Sequence, residues 1–238
     1  MADVKQRALI VVTSHDCMGD TDKMTGFFYR ELATPYWAFV DAGLEVDIAS
    51  IKGGKAPADP GSVGEPGKRA ASIQRFLDDA DAVRKIENTL AIASVNEADY
   101  DLVFLPGGHG TMWDFPDSEA LASVVGRALE RGVVVGAVCH GPAGLIGAKR
   151  SDGEPVVKGR RINSFTDAEE EAVGLAATVP FLLESRLREL GADFEGTENF
   201  QPYAVRDGNL VTGQNPPSSE LVAEEVLAAL RERATKAA

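Results

Sequence analysis

At 238 residues, 44% hydrophobic and 26% charged, the chain reads as a soluble globular protein, and one α/β domain over 1–238 accounts for its length. The 24 Lys+Arg against 37 Asp+Glu leave a formal charge of −13, which argues against nucleic acid or an anionic membrane as partner. Two cysteines, Cys17 and Cys139, lie far apart without CxxC or metal-finger spacing, so no disulfide framework is expected and the pattern suits a reducing cytosol.

Residues 8–13 read as the first buried strand of a parallel sheet. This run is too short for a signal peptide or a membrane span, and no other approaches spanning length; a cytoplasmic protein is expected. Cys17 falls in the polar loop 14–22 and is read as an incidental loop cysteine. From Thr25 aromatic residues lead into a helix that Pro35 restarts and Gly43 ends. Glu31 sits among them, and helical periodicity alone gives it no special role. Residues 45–50 alternate as a strand, and the Gly/Pro-dense stretch 52–67 is taken as a surface insertion. Helical periodicity returns over 72–95, in two pieces.

The run Asp99-Tyr-Asp-Leu-Val-Phe-Leu-Pro-Gly-Gly-His109-Gly is a strand entering a glycine-rich turn. It lacks the Lys-Ser/Thr pair of a phosphate loop and the Rossmann glycine spacing. Its open amides suit an oxyanion hole, but by itself the stretch favours an ordinary tight turn. An amphipathic helix is expected over 117–131. The chain then reaches its most informative stretch, an apolar run 133–138 that enters Cys139, His140 and Gly141, with Pro142 early in a new helix. A strand turning sharply into a helix through a reactive side chain resembles a nucleophile elbow, and the helix amides would favour thiolate. A buried cysteine acting as a small hydrophobe fits the same letters.

Residues 155–164 suggest a hairpin or edge pair. Phe165-Thr-Asp-Ala-Glu-Glu-Glu171 opens a helix in which Thr166 and Glu169 have capping-box spacing. Glu170 lies about 100° further round that helix. The triple glutamate also reads as a solvated helix start. An amphipathic helix over 179–191, a strand over 209–212 and a helix to about 234 complete the chain.

Four of these pieces together resemble the ThiJ/PfpI superfamily, whose fold is that of class I glutamine amidotransferases. Cys139-His140-Gly-Pro-Ala is similar to its nucleophile motif, and Leu105-Pro-Gly-Gly-His109-Gly-Thr-Met-Trp-Asp114 to its oxyanion loop. Thr25-Gly-Phe-Phe-Tyr-Arg-Glu31 followed by Pro35 resembles the segment with the family's buried glutamate. Phe165-Thr-Asp-Ala-Glu-Glu170 and Leu210-Val-Thr-Gly-Gln-Asn-Pro are similar to the heat-shock-type, glyoxalase III branch. The resemblance implies a flavodoxin-like three-layer α/β sandwich with a mostly parallel central sheet and a nucleophile elbow at Cys139. It also implies Cys139 as nucleophile, His140 and Glu170 as its triad partners, Glu31 as hydrogen-bond partner of the sulfur, and Gly108 and His140 amides as oxyanion hole.

The reaction implied is a glutathione-independent glyoxalase III (D-lactate dehydratase-type lyase), turning methylglyoxal and water into lactate through a Cys139 hemithioacetal. The substrate is then a small 2-oxoaldehyde, with no cofactor. The three histidines, 15, 109 and 140, show no zinc-ligand spacing, which speaks against a metal-dependent glyoxalase. Relatives are often homodimers, and a homodimer is adopted here. Other activities in the superfamily stay open: a holdase chaperone or redox-sensing stress protein, a protein deglycase, and a cysteine amidase or peptidase.

Overall fold

The structure, a computed structural model, describes residues 5–237. Its first half comprises β1 (Arg7–Val12), α1 (Tyr29–Asp41), β2 (Glu45–Ser50), α2 (Ala71–Asp78), α3 (Ala80–Glu87), β3 (Leu90–Ala91), β4 (Leu102–Leu105), α4 (Thr111–Asp114) and α5 (Glu119–Glu130). The second half adds β5 (Val134–Val138), β6 (Arg161–Ile162), α6 (Asp167–Ala172), α7 (Leu183–Glu189), β7 (Asp193–Phe194), β8 (Ala204–Asp207), β9 (Leu210–Gly213) and α8 (Ser219–Ala237).

Seven strands form one sheet in the order β3-β2-β1-β4-β5-β9-β8, parallel except for the β8–β9 pair. The strand alternation explains the layers. Ala8, Ile10 and Val12 point into a core shared with α1, α2 and α8, while Leu9 and Val11 point into a second core with α5 and α7. Both faces are covered, as the flavodoxin-like expectation required. The chain winds one way from β1 to β2 and the other way from β4 onward, so a switch point lies between β1 and β4. In such sheets the crevice beyond the carboxyl ends near that switch is where ligands bind. Among the described residues no helix is long and apolar enough to cross a membrane.

Several local readings change. Pro35 does not restart a helix but lies inside α1, whose Leu32, Ala33, Tyr36, Trp37 and Phe39 are buried together. Tertiary packing outweighs the hydrogen bond that proline removes. The helical run over 72–95 ends at Glu87, and the chain then adds the edge strand β3. Residues 155–164 form no hairpin: β6 pairs in parallel with the distant β7. The helix expected over 179–191 is reduced to Leu183–Glu189, beginning beyond Pro180, which has no N–H to give. The hairpin partner β8 lies just before β9, and its four residues carry too little alternation to stand out in the sequence.

The Gly/Pro stretch 52–67 packs against the entry to α1. Phe27 N–H donates to Pro57 O at 3.0 Å, and Tyr29 N–H to Ser62 Oγ at 3.0 Å. The stretch thereby satisfies the first helix donor, Tyr29 N–H, which no N-cap side chain serves, and anchors the residue before the cap. Glu31 lies in that first turn.

Candidate active site

Strand β5 is buried along its whole length and delivers Cys139 to the carboxyl end of the sheet. Cys139 has φ +59°, a left-handed conformation that a side chain adopts only when its surroundings impose it. They do so here. Its N–H donates to Gly213 O and its carbonyl accepts from Phe165 N–H, both at 2.8 Å. The α-helix expected after it is a short 3-10 helix, Gly141–Leu145. Cys139 is only 3% exposed, and burial followed by the neighbouring Glu31 carboxyl pushes its thiol well above the usual range. The expected preference for thiolate is therefore reversed: one 3-10 turn offers too little aligned dipole to outweigh desolvation. The resting sulfur carries its proton.

A base stands next to it. Cys139 Sγ lies 3.3 Å from His140 Nδ1, and His140 Nε2 lies 2.7 Å from Glu170 Oε2. Burial alone would raise Glu170, but hydrogen bonds from His109 and His140 hold it down to about 2. An ionised carboxylate only accepts, so His140 must donate Nε2–H and present its Nδ1 lone pair to the thiol. Burial, then His109, lowers the His140 pKa, which keeps the ring neutral at rest. Neutral thiol, neutral imidazole and a fixed carboxylate form the charge arrangement of a nucleophile that ionises only on attack.

The glycine turn after β4 faces this pair. Gly108 has φ +103°, and a Cβ there would stand 2.2 Å from Gly26 O; one on Gly107 would stand 2.6 Å from His140 N. Only glycines let this turn close onto the elbow. Thr111 Oγ1 ties the two together, 2.9 Å from Gly108 O and 3.1 Å from His140 O. Among the described residues no backbone acceptor takes the Gly108 or His140 N–H. Two free amides beside the sulfur can hold an oxyanion.

Glu31 is wholly buried, and the sequence reading alone would have left it on a solvent face. Its Oε2 accepts from Gly107 N–H at 2.7 Å, while the buried Oε1 has no hydrogen-bond partner of normal geometry. Its carboxyl interacts with the Cys139 thiol. Burial raises Glu31 to about 8, so it is neutral at pH 7 and carries a proton to offer sulfur. The pair titrates as one system. Alkylation of Cys139 by iodoacetamide is expected to rise only well above pH 8 in wild type, because Glu31 ionises near 8 and its charge then opposes the thiolate. Glu31→Gln keeps a donor without that charge and is expected to move alkylation to lower pH, while Glu31→Leu, without charge or donor, should show a single thiol titration. Three superimposable pH profiles would show that Glu31 does not act on the sulfur.

His109 joins the site without having been singled out. Its Nε2 lies 2.8 Å from Glu170 Oε1, and its ring centroid is 4.2 Å from that of His140. The available clue was its place directly after the candidate oxyanion glycine. His109, His140 and Glu170 also bring three potential metal donors within 4.8 Å of one another, a cluster that sequence spacing could not reveal. The carboxylate–imidazole contacts of 2.7 and 2.8 Å are hydrogen-bond lengths. Tetrahedral zinc, with bonds of about 2.0–2.1 Å, sets its donors roughly 3.3 Å apart. As arranged, the cluster fits protons better than a metal ion.

The neighbouring Glu169 has a different task. It closes the capping box with Thr166, and its Oε1 accepts from Phe200 N–H at 2.7 Å and Asn215 Nδ2 at 2.8 Å. That grip holds Phe200 at φ +62°, with its ring on the rim of the cavity over Cys139. Glutamine at 169 must turn its NH2 toward one of these donor sets, so Glu169→Gln is not structurally silent. A loss of about 1–3 kcal/mol is expected, read as a lower denaturant midpoint; an unchanged midpoint would mean these contacts carry no stability. The cavity itself measures about 390 Å³, with Phe28, Phe165, Val173, Leu175 and Pro216 as apolar walls. Cys17 does not line it; its sulfur faces the Gly19 and Thr21 carbonyls.

The chain is similar to known proteins over most of its length. The model of the DJ-1/PfpI family matches residues 24–229. Glyoxalase 3 of Candida albicans is 31% identical over 235 residues, covering 94% of this chain and 98% of its own. A glutathione-independent glyoxalase of Saccharomyces cerevisiae is 31% identical over 234 residues, covering 95% and 98%. The crystal structure of the Candida albicans glyoxalase III superposes with a TM-score of 0.86 at 30% identity, over 94% of this chain and 97% of that one. The Rapid Encystment Protein of Francisella tularensis superposes with a TM-score of 0.91 at 36% identity, over 94% and 99%.

Proposed function

The chain belongs to the DJ-1/PfpI family, and from that premise we propose that it is a glutathione-independent glyoxalase, converting methylglyoxal and water to lactate. The observation that carries the reading is the Cys139–His140–Glu170 hydrogen-bonded chain beside two free amides in an apolar cavity. His140 Nδ1 takes the thiol proton as sulfur attacks the aldehyde carbon. The Gly108 and His140 amides hold the resulting alkoxide, which takes up a proton to give the hemithioacetal. His140 then moves the carbon-bound proton to the adjacent carbon through an enediol, leaving a lactoyl thioester on Cys139. Water releases lactate. Glu170 keeps His140 in the productive tautomer, and neutral Glu31 supplies a hydrogen bond to sulfur whenever it bears charge.

No step in this scheme draws on a cofactor. The cytoplasmic setting rests on the cysteine pattern, and a part in stress response and the homodimer are carried from the family resemblance; light scattering on the purified protein measures the dimer. The test of the activity is lactate production from methylglyoxal without glutathione, before and after iodoacetamide. Lactate that appears and is abolished by alkylation supports the reading. Alkylated protein that still suppresses aggregation while making no lactate would separate a holdase role from catalysis. Failure of the untreated protein to form lactate sinks the glyoxalase.

A further inference from the structure

The site contains two histidines on one carboxylate, and the scheme above uses only one. Glu170 accepts from His140 at Oε2 and from His109 at Oε1. Because the carboxylate can only accept, both rings donate Nε2–H and both keep a basic Nδ1. The two Nδ1 atoms are placed differently. That of His140 faces the Cys139 sulfur, in a ring 1% exposed. That of His109 has no hydrogen-bond partner among the described residues, in a side chain 16% exposed that lines the cavity. One base is committed to sulfur, and the other belongs to a residue that lines the cavity.

We propose that His109 is a second catalytic base, which activates the water that hydrolyses the thioester on Cys139; this rests on the glyoxalase reading. Position supports it. His109 follows Gly108 directly, lines the same cavity as Cys139 and has its ring 4.2 Å from that of His140, within reach of an acyl group held on Cys139 by the Gly108 N–H. In the step itself, His109 Nδ1 takes a proton from water as the oxygen bonds to the acyl carbon. The alkoxide so formed collapses, the C–S bond breaks, and its electron pair leaves on sulfur. The proton on His109 returns to that sulfur by way of solvent, giving lactic acid and the free thiol. Dividing the labour in this way lets His140 serve the carbon-to-carbon proton transfer while a more open residue serves hydrolysis.

His109→Gln is the informative variant, because the glutamine amide can still donate to Glu170 but is not a base. Lactate formation is expected to fall by ~10²-fold, and the slow step becomes hydrolysis. Cys139 then accumulates a lactoyl thioester, which hydroxylamine releases as lactohydroxamate in an amount approaching one per chain. A hemithioacetal has the same mass but returns methylglyoxal on dilution, so the trap distinguishes them. His109→Asn gives a second substitution in case the first folds poorly, as judged by circular dichroism. A slowed variant that accumulates no thioester, or one with the wild-type rate, overturns the proposal. Wild-type protein that forms no lactate overturns the glyoxalase reading and this step together.

Discussion

Cys139→Ser is expected to lower lactate formation by at least ~10³-fold while leaving the thermal midpoint nearly unchanged. The backbone reason for an intact fold is direct. Both hydrogen bonds that clamp the elbow, to Gly213 O and from Phe165 N–H, use main-chain atoms and survive the change. The chemical reason for lost turnover lies in proton affinity. Burial already holds the thiol above its ordinary range and the His140 imidazole below its own, so ionisation on attack is only just accessible for sulfur. An alcohol is several pKa units less acidic than a thiol, and the same base cannot reach it. Lactate assay and circular dichroism on the purified variant decide the matter. Turnover like that of wild type would remove the covalent mechanism.

His140→Ala is expected to have an effect of the same order, because Glu31, the other titratable group described at the Cys139 sulfur, holds its own proton at pH 7. Glu170→Gln should cost less, on the order of 10–10²-fold, and the second histidine explains why. A glutamine at 170 can turn its oxygen toward His140 and its NH2 toward His109. His140 then keeps its tautomer with a weaker acceptor, and His109 takes the mismatch. Imidazolium stabilisation is reduced rather than lost. Measuring kcat for both variants at saturating methylglyoxal checks the order. A Glu170→Gln loss equal to that of His140→Ala would mean that the carboxylate charge itself is indispensable.

What the sequence determined by itself was everything encoded locally or by motif. The runs ending at Val12, Ser50 and Val138 are strands because a continuous apolar run, or in 45–50 an alternating one, over six or so residues needs no distant partner to be read. The Thr166–Glu169 capping box is likewise contained within four residues. The elbow letters around Cys139, with the Gly107–Gly108 turn, carried the family and through it the fold. Protonation and partnership were decided elsewhere. Glu31 is neutral because α1, β4 and the elbow together exclude water from it, although its own helix pattern would allow a solvated carboxylate. Glu170 and not Glu169 meets His140, since adjacent residues on a helix diverge by about 100° and only the packing of α6 decides which points inward to the elbow. His109 reaches the site from 31 residues before His140, by the pairing of β4 with β5. Burial and charge coupling are sums over neighbours far apart in the chain, so only the tertiary structure could assign a proton to Glu31 and to Cys139, and a second imidazole to Glu170.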